Sequence, residues 1–155
     1  MAEKGNYCYD YPRPAVASDI IVLTKQKGKL KLLLIERKNE PFAGMYAFPG
    51  GFIDPDETAL QAARRELEEE TSVKSSSLKQ FKIYSEPKRD PRGRIMSVVH
   101  WVFIPNLSEF KAGDDAASAK LFDINNLPAL AFDHQEILQD FLSASLNRVD
   151  GQRDK

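Results

Sequence analysis

Acidic side chains are concentrated in the stretch RRELEEETSV, residues 64–73, where four glutamates occupy five successive positions. If the stretch is helical, Glu66, Glu69 and Glu70 share one face within an arc of about 100°. The apolar stripe that would face a core lies roughly opposite and comprises Leu60, Ala63, Leu67 and Thr71. Like charges at helical spacing repel by roughly 0.2–0.5 kcal/mol per pair, and the C-terminal half of a helix adds the negative end of its dipole. This face therefore needs a counter-charge.

Two sources of positive charge fit this acidic face. Arg65 lies four residues before Glu69, a spacing at which helical side chains pair. A hard divalent cation such as Mg²⁺ would neutralise more charge, because it takes oxygen ligands and usually keeps substrate phosphates in its shell. The glycine-rich segment just before the helix favours metal-assisted phosphate chemistry. The alternative is a solvated acidic helix, which is the commoner explanation for an isolated glutamate cluster.

The elements that must position these glutamates follow from the periodicity of the chain. Strands are predicted at residues 15–23, 31–37, 80–87 and 94–104, with a short one at 120–124. Residues 38–57 are rich in proline and glycine and are predicted to form an irregular loop. Capping boxes predict two helices, one opened by Thr58 with Gln61 and one by Asp133 with Glu136.

This pattern predicts a single α/β domain over residues 1–155, with a mixed sheet covered by helices. Residues 1–13 are predicted to be an extended N-terminal arm, and residues 147–155 a polar tail. Tyr7, Tyr9 and Tyr11 alternate along the arm and are predicted to pack on the protein's own sheet. Their alternatives are stacking on a nucleobase and packing against a second subunit. His134 is predicted to be a surface residue at a helix start.

Composition excludes several classes of function. The 155 residues are 42% hydrophobic and 29% charged with a net charge of −1, which gives no general attraction to nucleic acid or anionic membranes. No apolar run approaches the ~20 residues of a membrane helix, and the N-terminus has no apolar signal core. Cys8 is the single cysteine and cannot form an internal disulfide, so we expect a cytoplasmic protein.

The segment that begins at Gly51 resembles the Nudix box, G-x5-E-x7-R-E-U-x-E-E-x-G-U, in which U is aliphatic. The matching fixed positions are Gly51, Glu57, Arg65, Glu66, Glu69 and Glu70. With each residue type at ~5–7% of positions, chance agreement in a chain of this length is on the order of 10⁻⁵. The final glycine of the box is Ser72 here. The resemblance implies that the family's glycine ends the helix with positive φ, where glycine is favoured, so Ser72 leaves the local helix exit open but not the carboxylate geometry.

The resemblance implies a Nudix-type α/β/α sandwich and a pyrophosphohydrolase that uses Mg²⁺ or Mn²⁺ to split a nucleoside diphosphate derivative. The implied metal ligands are the backbone carbonyl of Gly50 with Glu66, Glu69 and Glu70, and Glu57 is implied as an accessory carboxylate. Arg65 is implied to orient the glutamates by salt bridges. The general base is left open between these glutamates and Asp114 or Asp115 in a later loop, for which an ordinary acidic turn is the alternative.

Three arginines are candidates for binding the substrate. Arg37 ends a predicted strand beside the glycine-rich loop and can reach a phosphate, or form a surface salt bridge with Glu36 or Glu40. Arg89 and Arg92 lie in the loop KRDPRGR and can grip a phosphate or a ribose, with a solvated charge run as the alternative.

Residues 11–142 together are similar to the bacterial ADP-ribose pyrophosphatase group of this family. Pro87 lies fifteen residues beyond Ser72, close to where a proline marks that group. We therefore expect cleavage of ADP-ribose to AMP and ribose 5-phosphate. The alternatives are another nucleotide (an oxidised dNTP, another sugar nucleotide or a dinucleotide) and a non-catalytic sensor of an ADP-ribose-type ligand. A small-molecule nucleotide is the expected partner, nucleic acid and membrane are not, and a homodimer is left open.

Overall fold

A computed structural model describes residues 5–113 and 115–150, with the backbone alone described for residues 147–150. Its elements run in the order β1 (Ala15–Gln26), β2 (Lys29–Arg37), β3 (Tyr46–Ala47), β4 (Gly50–Phe52), α1 (Ala59–Thr71), β5 (Lys79–Tyr84), β6 (Ile95–Phe103), β7 (Ala116–Asp123) and α2 (His134–Asp150). Within these described residues, no helix is long and apolar enough to cross a membrane.

The seven strands form one mixed sheet with the order β3-β2-β1-β6-β5, while β4 adds to β1 and β7 adds to β2. Strand β1 is central because β6 pairs with it in parallel along one side, and β2 and β4 pair with it antiparallel along the other. Its run of apolar and β-branched residues suits a strand that is covered on both faces. The loop predicted over residues 38–57 thus contains two short strands, and β4 brings the glycine-rich segment against β1.

Two apolar clusters lie on opposite faces of the sheet, because successive side chains of a strand point to opposite faces. On one face Ile20 and Val22 of β1 pack with Ala63 and Leu67 of α1. On the other face Ile21 and Leu23 pack with the α2 residues Ile137, Leu138 and Phe141. The helices therefore cover the sheet on both sides, which confirms the predicted α/β/α sandwich with a mixed sheet.

Three features near the termini and edges differ from the sequence-based expectations. Tyr7, Tyr9 and Tyr11 are exposed rather than packed on the sheet, and Tyr7 and Tyr9 stack on each other with ring centroids 6.4 Å apart. Strand β7 begins at Ala116, four residues before the predicted start at position 120. Helix α2 continues to Asp150, into the segment predicted as a tail.

Candidate active site

Helix α1 presents the glutamates because its start and its buried face are both well defined. The Thr58 hydroxyl accepts from the backbone N–H of Gln61 at 3.2 Å, and the Gln61 side chain accepts from the Thr58 N–H at 2.7 Å. This is the predicted capping box. Ala63, Leu67 and Thr71 are fully buried against the sheet, which leaves the glutamates on the opposite side.

Arg65 is the centre of a network of carboxylates. Its guanidinium donates to both carboxylate oxygens of Glu57, to Glu66 Oε1 at 2.7 Å and to Glu69 Oε2 at 3.2 Å. It also donates to the Phe52 carbonyl of β4 at 3.0 Å, which ties the helix to the glycine-rich segment. Hydrogen bonds from Arg65 lower the pKa of Glu57, and the same network raises the pKa of Arg65. One guanidinium thus hydrogen-bonds three carboxylates, and its Nε lies 3.7 Å from a fourth, that of Asp54.

The C-terminal end of α1 is closed by backbone groups. Ser72 follows the helix with φ 61° and ψ 10°, and its N–H donates to the Glu68 carbonyl at 2.8 Å. The positive φ that the resemblance implies for the family's glycine is therefore adopted here by a serine. In the loop before β7, the N–H of Lys111 donates to Thr71 O at 3.0 Å and the N–H of Gly113 to Glu70 O at 2.9 Å. These contacts satisfy carbonyls that a helix end otherwise leaves without partners.

The glycine-rich segment is packed directly against two of the glutamates. The N–H of Gly50 donates to Glu70 Oε2 at 3.0 Å. A Cβ atom on Gly51 would lie 2.3 Å from a carboxylate oxygen of Glu66, and one on Gly50 would lie 2.4 Å from Asp19 Oδ1. Glycine at both positions is therefore what allows the carboxylates to approach this backbone.

Burial and mutual repulsion perturb two of these carboxylates. Burial, together with the nearby charges of Glu66, Asp19 and Asp115, raises the pKa of Glu70 to about 8, against the opposing hydrogen bond from Gly50. Burial also raises the pKa of Glu66, although Arg65 acts in the other direction. Ionised carboxylates held in such surroundings are stabilised by a nearby cation.

The donor set fits a hard divalent cation. Glu66, Glu69, Glu70 and the Gly50 carbonyl, the ligands that the resemblance implies, would supply only oxygen atoms, which is what Mg²⁺ and Mn²⁺ prefer. Burial is the main cause of the raised pKa values of Glu66 and Glu70, and neighbouring carboxylates add repulsion that a cation would offset. Among the side chains of residues 5–113 and 115–146, no three acidic, histidine or cysteine groups already converge on one point. Arg65 and the Gly50 N–H instead occupy oxygens of these glutamates.

A cleft opens beside Glu70, Gly50 and Gly51, and all three predicted substrate-binding arginines line it. The Arg37 guanidinium donates to the Pro41 carbonyl at 2.8 Å and lies 4.8 Å from the centre of the Phe132 ring. Among the described residues it forms no salt bridge with Glu36 or Glu40, which was one of the two alternatives left open for it. Arg92 binds Asp90 at 2.7 Å and also lies over Phe132, at 5.1 Å. Burial and the neighbouring Arg92 lower the pKa of Arg37, as expected for two guanidinium groups facing one space.

Sequence reasoning missed several residues of this cleft. Asp19 lies on β1 beside Gly50 and accepts a hydrogen bond from the Ser97 hydroxyl. His134 is only 3% exposed, so its prediction as a surface residue is wrong. Its Nδ1 accepts from the N–H of Phe48 at 3.1 Å. The available signals were a lone aspartate in an apolar strand and a histidine directly after a helix cap, and neither is specific.

The predicted late-loop residues are only partly described. Asp114 lies outside the described residues. Asp115 is exposed at the start of β7, and its charge contributes to raising the pKa of both Glu66 and Glu70. It therefore lies on the glutamate side of the site.

The sheet, the glutamate helix and the arginine-lined cleft are those of a hydrolase that acts on phosphate anhydrides. The sequence model of the NUDIX domain matches residues 13–141. An ADP-ribose pyrophosphatase from Methanocaldococcus jannaschii is 47% identical over 132 residues, which are 85% of this chain and 75% of that protein. The chain belongs to the NUDIX family, and the predicted class, a Nudix pyrophosphohydrolase, is confirmed.

Two further relatives are proteins that their names connect with ADP-ribose. The ADPR responsive transcriptional repressor NtrR of Acinetobacter baylyi is 33% identical over 149 residues, covering 90% of this chain but 58% of the repressor. The NUDIX domain of Shewanella oneidensis NrtR, solved in complex with ADP ribose, superposes with a TM-score of 0.81 at 28% identity and covers 88% of this chain and 93% of that domain.

Proposed function

We propose that this Nudix hydrolase is a Mg²⁺-dependent ADP-ribose pyrophosphatase that releases AMP and ribose 5-phosphate. The observation that carries the proposal is one cleft in which Glu70 and the glycine-rich segment face Arg37, Arg89 and Arg92. Such a cleft offers carboxylates for a metal and guanidinium groups for a diphosphate. The 47% identical pyrophosphatase and the ADP-ribose-bound neighbour support this choice of substrate.

Each group has a defined task in this proposal. The Gly50 carbonyl, Glu66, Glu69 and Glu70 would hold Mg²⁺, which supplies neutralisation of phosphate charge and a more acidic water when bound. Arg37 and Arg92 bind oxygens of the diphosphate, and Arg65 keeps Glu66 and Glu69 directed toward the phosphate. Water attacks one phosphorus, the bridging P–O bond breaks, and the bridging oxygen leaves on the other phosphate. A nearby carboxylate takes the proton that the water loses.

Product chromatography tests the proposal directly. Purified protein is incubated with Mg²⁺ and separately with ADP-ribose, NADH, a diadenosine polyphosphate, UDP-glucose and 8-oxo-dGTP. We expect AMP and ribose 5-phosphate from ADP-ribose, and loss of both products when EDTA replaces Mg²⁺. Hydrolysis of 8-oxo-dGTP with release of pyrophosphate, and none of ADP-ribose, would refute the proposed substrate while leaving a Nudix hydrolase.

A ligand sensor is the second candidate, favoured by the similarity to the repressor over 90% of this chain. The Arg65 network that ties Glu57, Glu66 and Glu69 together argues for turnover, because a pure sensor needs no such set of carboxylates. Calorimetry decides between the two. Tight ADP-ribose binding in the presence of Mg²⁺ with no product after prolonged incubation would establish the sensor.

A further inference from the structure

Three consecutive residues before and at the start of α2 contact three different parts of the cleft. Phe132, Asp133 and His134, which we call the FDH segment, contact the arginine pair, the third arginine and the glycine-rich segment respectively. The segment lies about sixty residues beyond the glutamate helix and contributes none of the carboxylates discussed above.

The Phe132 ring contacts two of the three arginines that line the cleft. The guanidinium carbons of Arg37 and Arg92 lie 4.8 Å and 5.1 Å from its ring centre, which is cation–π distance. Phe42 contacts the ring edge-on at 4.8 Å. Phe132 has φ 53°, a conformation that a bulky residue seldom adopts unless its surroundings impose it. The packing therefore holds this ring, and with it both guanidinium groups, at the cleft.

Asp133 holds the third arginine. Its two carboxylate oxygens accept from Arg89 Nε at 2.8 Å and Nη2 at 2.7 Å, a bidentate pair. The Arg89 side chain is 4% exposed and that of Asp133 is 15% exposed, so solvent screens this pair poorly. The side chain of Arg89, which belongs to the loop between β5 and β6, is thereby held in place by the residue that directly precedes α2.

His134 holds the segment that carries Gly50. Its Nδ1 accepts from the Phe48 N–H at 3.1 Å, and the ring stacks on Phe48 with centroids 4.5 Å apart and planes 12° apart. Because Nδ1 is the acceptor, a neutral ring carries its proton on Nε2, which lies 3.9 Å from Asp19 Oδ2. Gly50, two residues beyond Phe48, donates to Glu70. The imidazole thus supports the backbone that meets this glutamate.

We infer that the FDH segment positions the cleft, with Phe132 and Asp133 setting substrate affinity through Arg37, Arg92 and Arg89, which all line the cleft as candidate phosphate ligands, and His134 setting turnover through the glycine-rich segment. The inference rests on the proposed function for what the arginines and Gly50 do. None of the three side chains is required to react with substrate. Their effect arises because misplacing a binding or metal-holding group by a fraction of an ångström lowers the rate.

Five variants separate this role from simple structural support. Asp133→Asn keeps the shape of the side chain but removes the charge that Arg89 needs. Its control is Asp140→Asn within α2, where the carboxylate contacts Tyr84 and Lys82 instead. His134→Phe keeps the ring but loses the acceptor, and His134→Asn restores an acceptor near Nδ1. His100→Phe removes another buried imidazole, one that contacts Ser18 and does not line the cleft.

Steady-state kinetics with ADP-ribose and Mg²⁺ are measured beside thermal unfolding for each variant. We expect Asp133→Asn to raise KM about tenfold with kcat within about threefold, and His134→Phe to lower kcat about tenfold or more with KM nearly unchanged. His134→Asn should recover most of kcat. His100→Phe should lower the melting temperature while kcat stays within about threefold of wild type. A loss that follows melting temperature equally in all variants would overturn the inference.

Amide hydrogen exchange distinguishes failure of the inference from failure of the proposed function. If the wild-type protein leaves ADP-ribose intact, the proposed function fails, and exchange at Phe48 and Gly50 then decides the inference without any substrate. We expect exchange there to be about tenfold faster in His134→Phe and near wild type in His134→Asn. Unchanged exchange in His134→Phe would show that the imidazole does not hold the segment.

Discussion

Replacing Glu70 with glutamine should stabilise the protein as pH rises while removing its activity. Glu70 is partly buried on α1, and burial raises its pKa from 4.5 to about 8 in the metal-free protein. Between these two pH values the folded state holds a proton on Glu70 that the unfolded state has released. The stability contributed by this group is therefore present below pH 4.5 and is lost as pH rises toward 8.

The size of this stability loss follows from the width of the pH interval between the two pKa values. Each pH unit corresponds to about 1.4 kcal/mol, so the interval from 4.5 to about 8 allows a loss of at most about 5 kcal/mol. The residue keeps some contact with solvent, so we expect about 2–3 kcal/mol in practice. Glutamine has no charge and can still accept from the Gly50 N–H. The stability of Glu70→Gln should therefore lack this pH-dependent loss.

Urea unfolding in EDTA, followed by the fluorescence of Trp101 at about pH 5, 6.5 and 8, measures the difference in free energy of unfolding between Glu70→Gln and wild type. The advantage of Glu70→Gln over wild type should grow with pH, and added Mg²⁺ should reduce it by stabilising the wild-type carboxylate. Glu68→Gln is the matched control, because that side chain is 52% exposed and pairs with Lys74 on the surface. Parallel stability curves for wild type and Glu70→Gln would refute the reasoning.

In activity assays with Mg²⁺, Glu70→Gln should lose at least about 10²-fold in kcat.

The other predictions concern the helix end and the arginine network. Ser72→Gly should raise the free energy of unfolding by about 0.5–1 kcal/mol in urea titrations, because glycine adopts the φ of 61° without strain. Gly113→Ala should lower it by about 2–4 kcal/mol in the same assay, because the added Cβ would lie 1.7 Å from the Glu69 carbonyl oxygen. Arg65→Lys should lower kcat by about 10–100-fold in the ADP-ribose assay, because one ammonium group cannot replace a guanidinium that binds several carboxylates at once.

The glutamate helix could be predicted because its determinants are local. The Thr58 cap, the apolar stripe and the spacing of Glu66, Glu69 and Glu70 all lie within fifteen residues, and the structure shows the helix over Ala59–Thr71. Periodicity likewise predicted the central strands. Both kinds of signal depend on neighbours along the chain, which a sequence displays directly.

The rest of the cleft depends on contacts that the sequence does not display. Asp19 meets Gly50 through pairing of β1 with β4, and His134 reaches Phe48 across 86 positions of the chain. Nothing adjacent to either residue distinguishes it from a solvated aspartate or a surface histidine. The exposed tyrosines of the arm show the converse case, since an alternating aromatic pattern suggests a packed strand but meets no partner strand in the described structure. Register and long-range packing decide these positions.

The question of counter-charge on α1 receives an answer in two parts. Arg65 forms ion pairs with four carboxylates, so a single positive charge is shared among Asp54, Glu57, Glu66 and Glu69. Glu70 instead bonds the neutral N–H of Gly50 and faces the cleft, where its pKa is raised. The carboxylates thus carry more negative charge than one guanidinium neutralises. The excess lies on the cleft side, where a bound cation would be stabilised most. Because such a cation binds the folded state alone, Mg²⁺ should raise the melting temperature of the wild-type protein by an amount that grows with the logarithm of its concentration above Kd, and should do so less in Glu70→Gln.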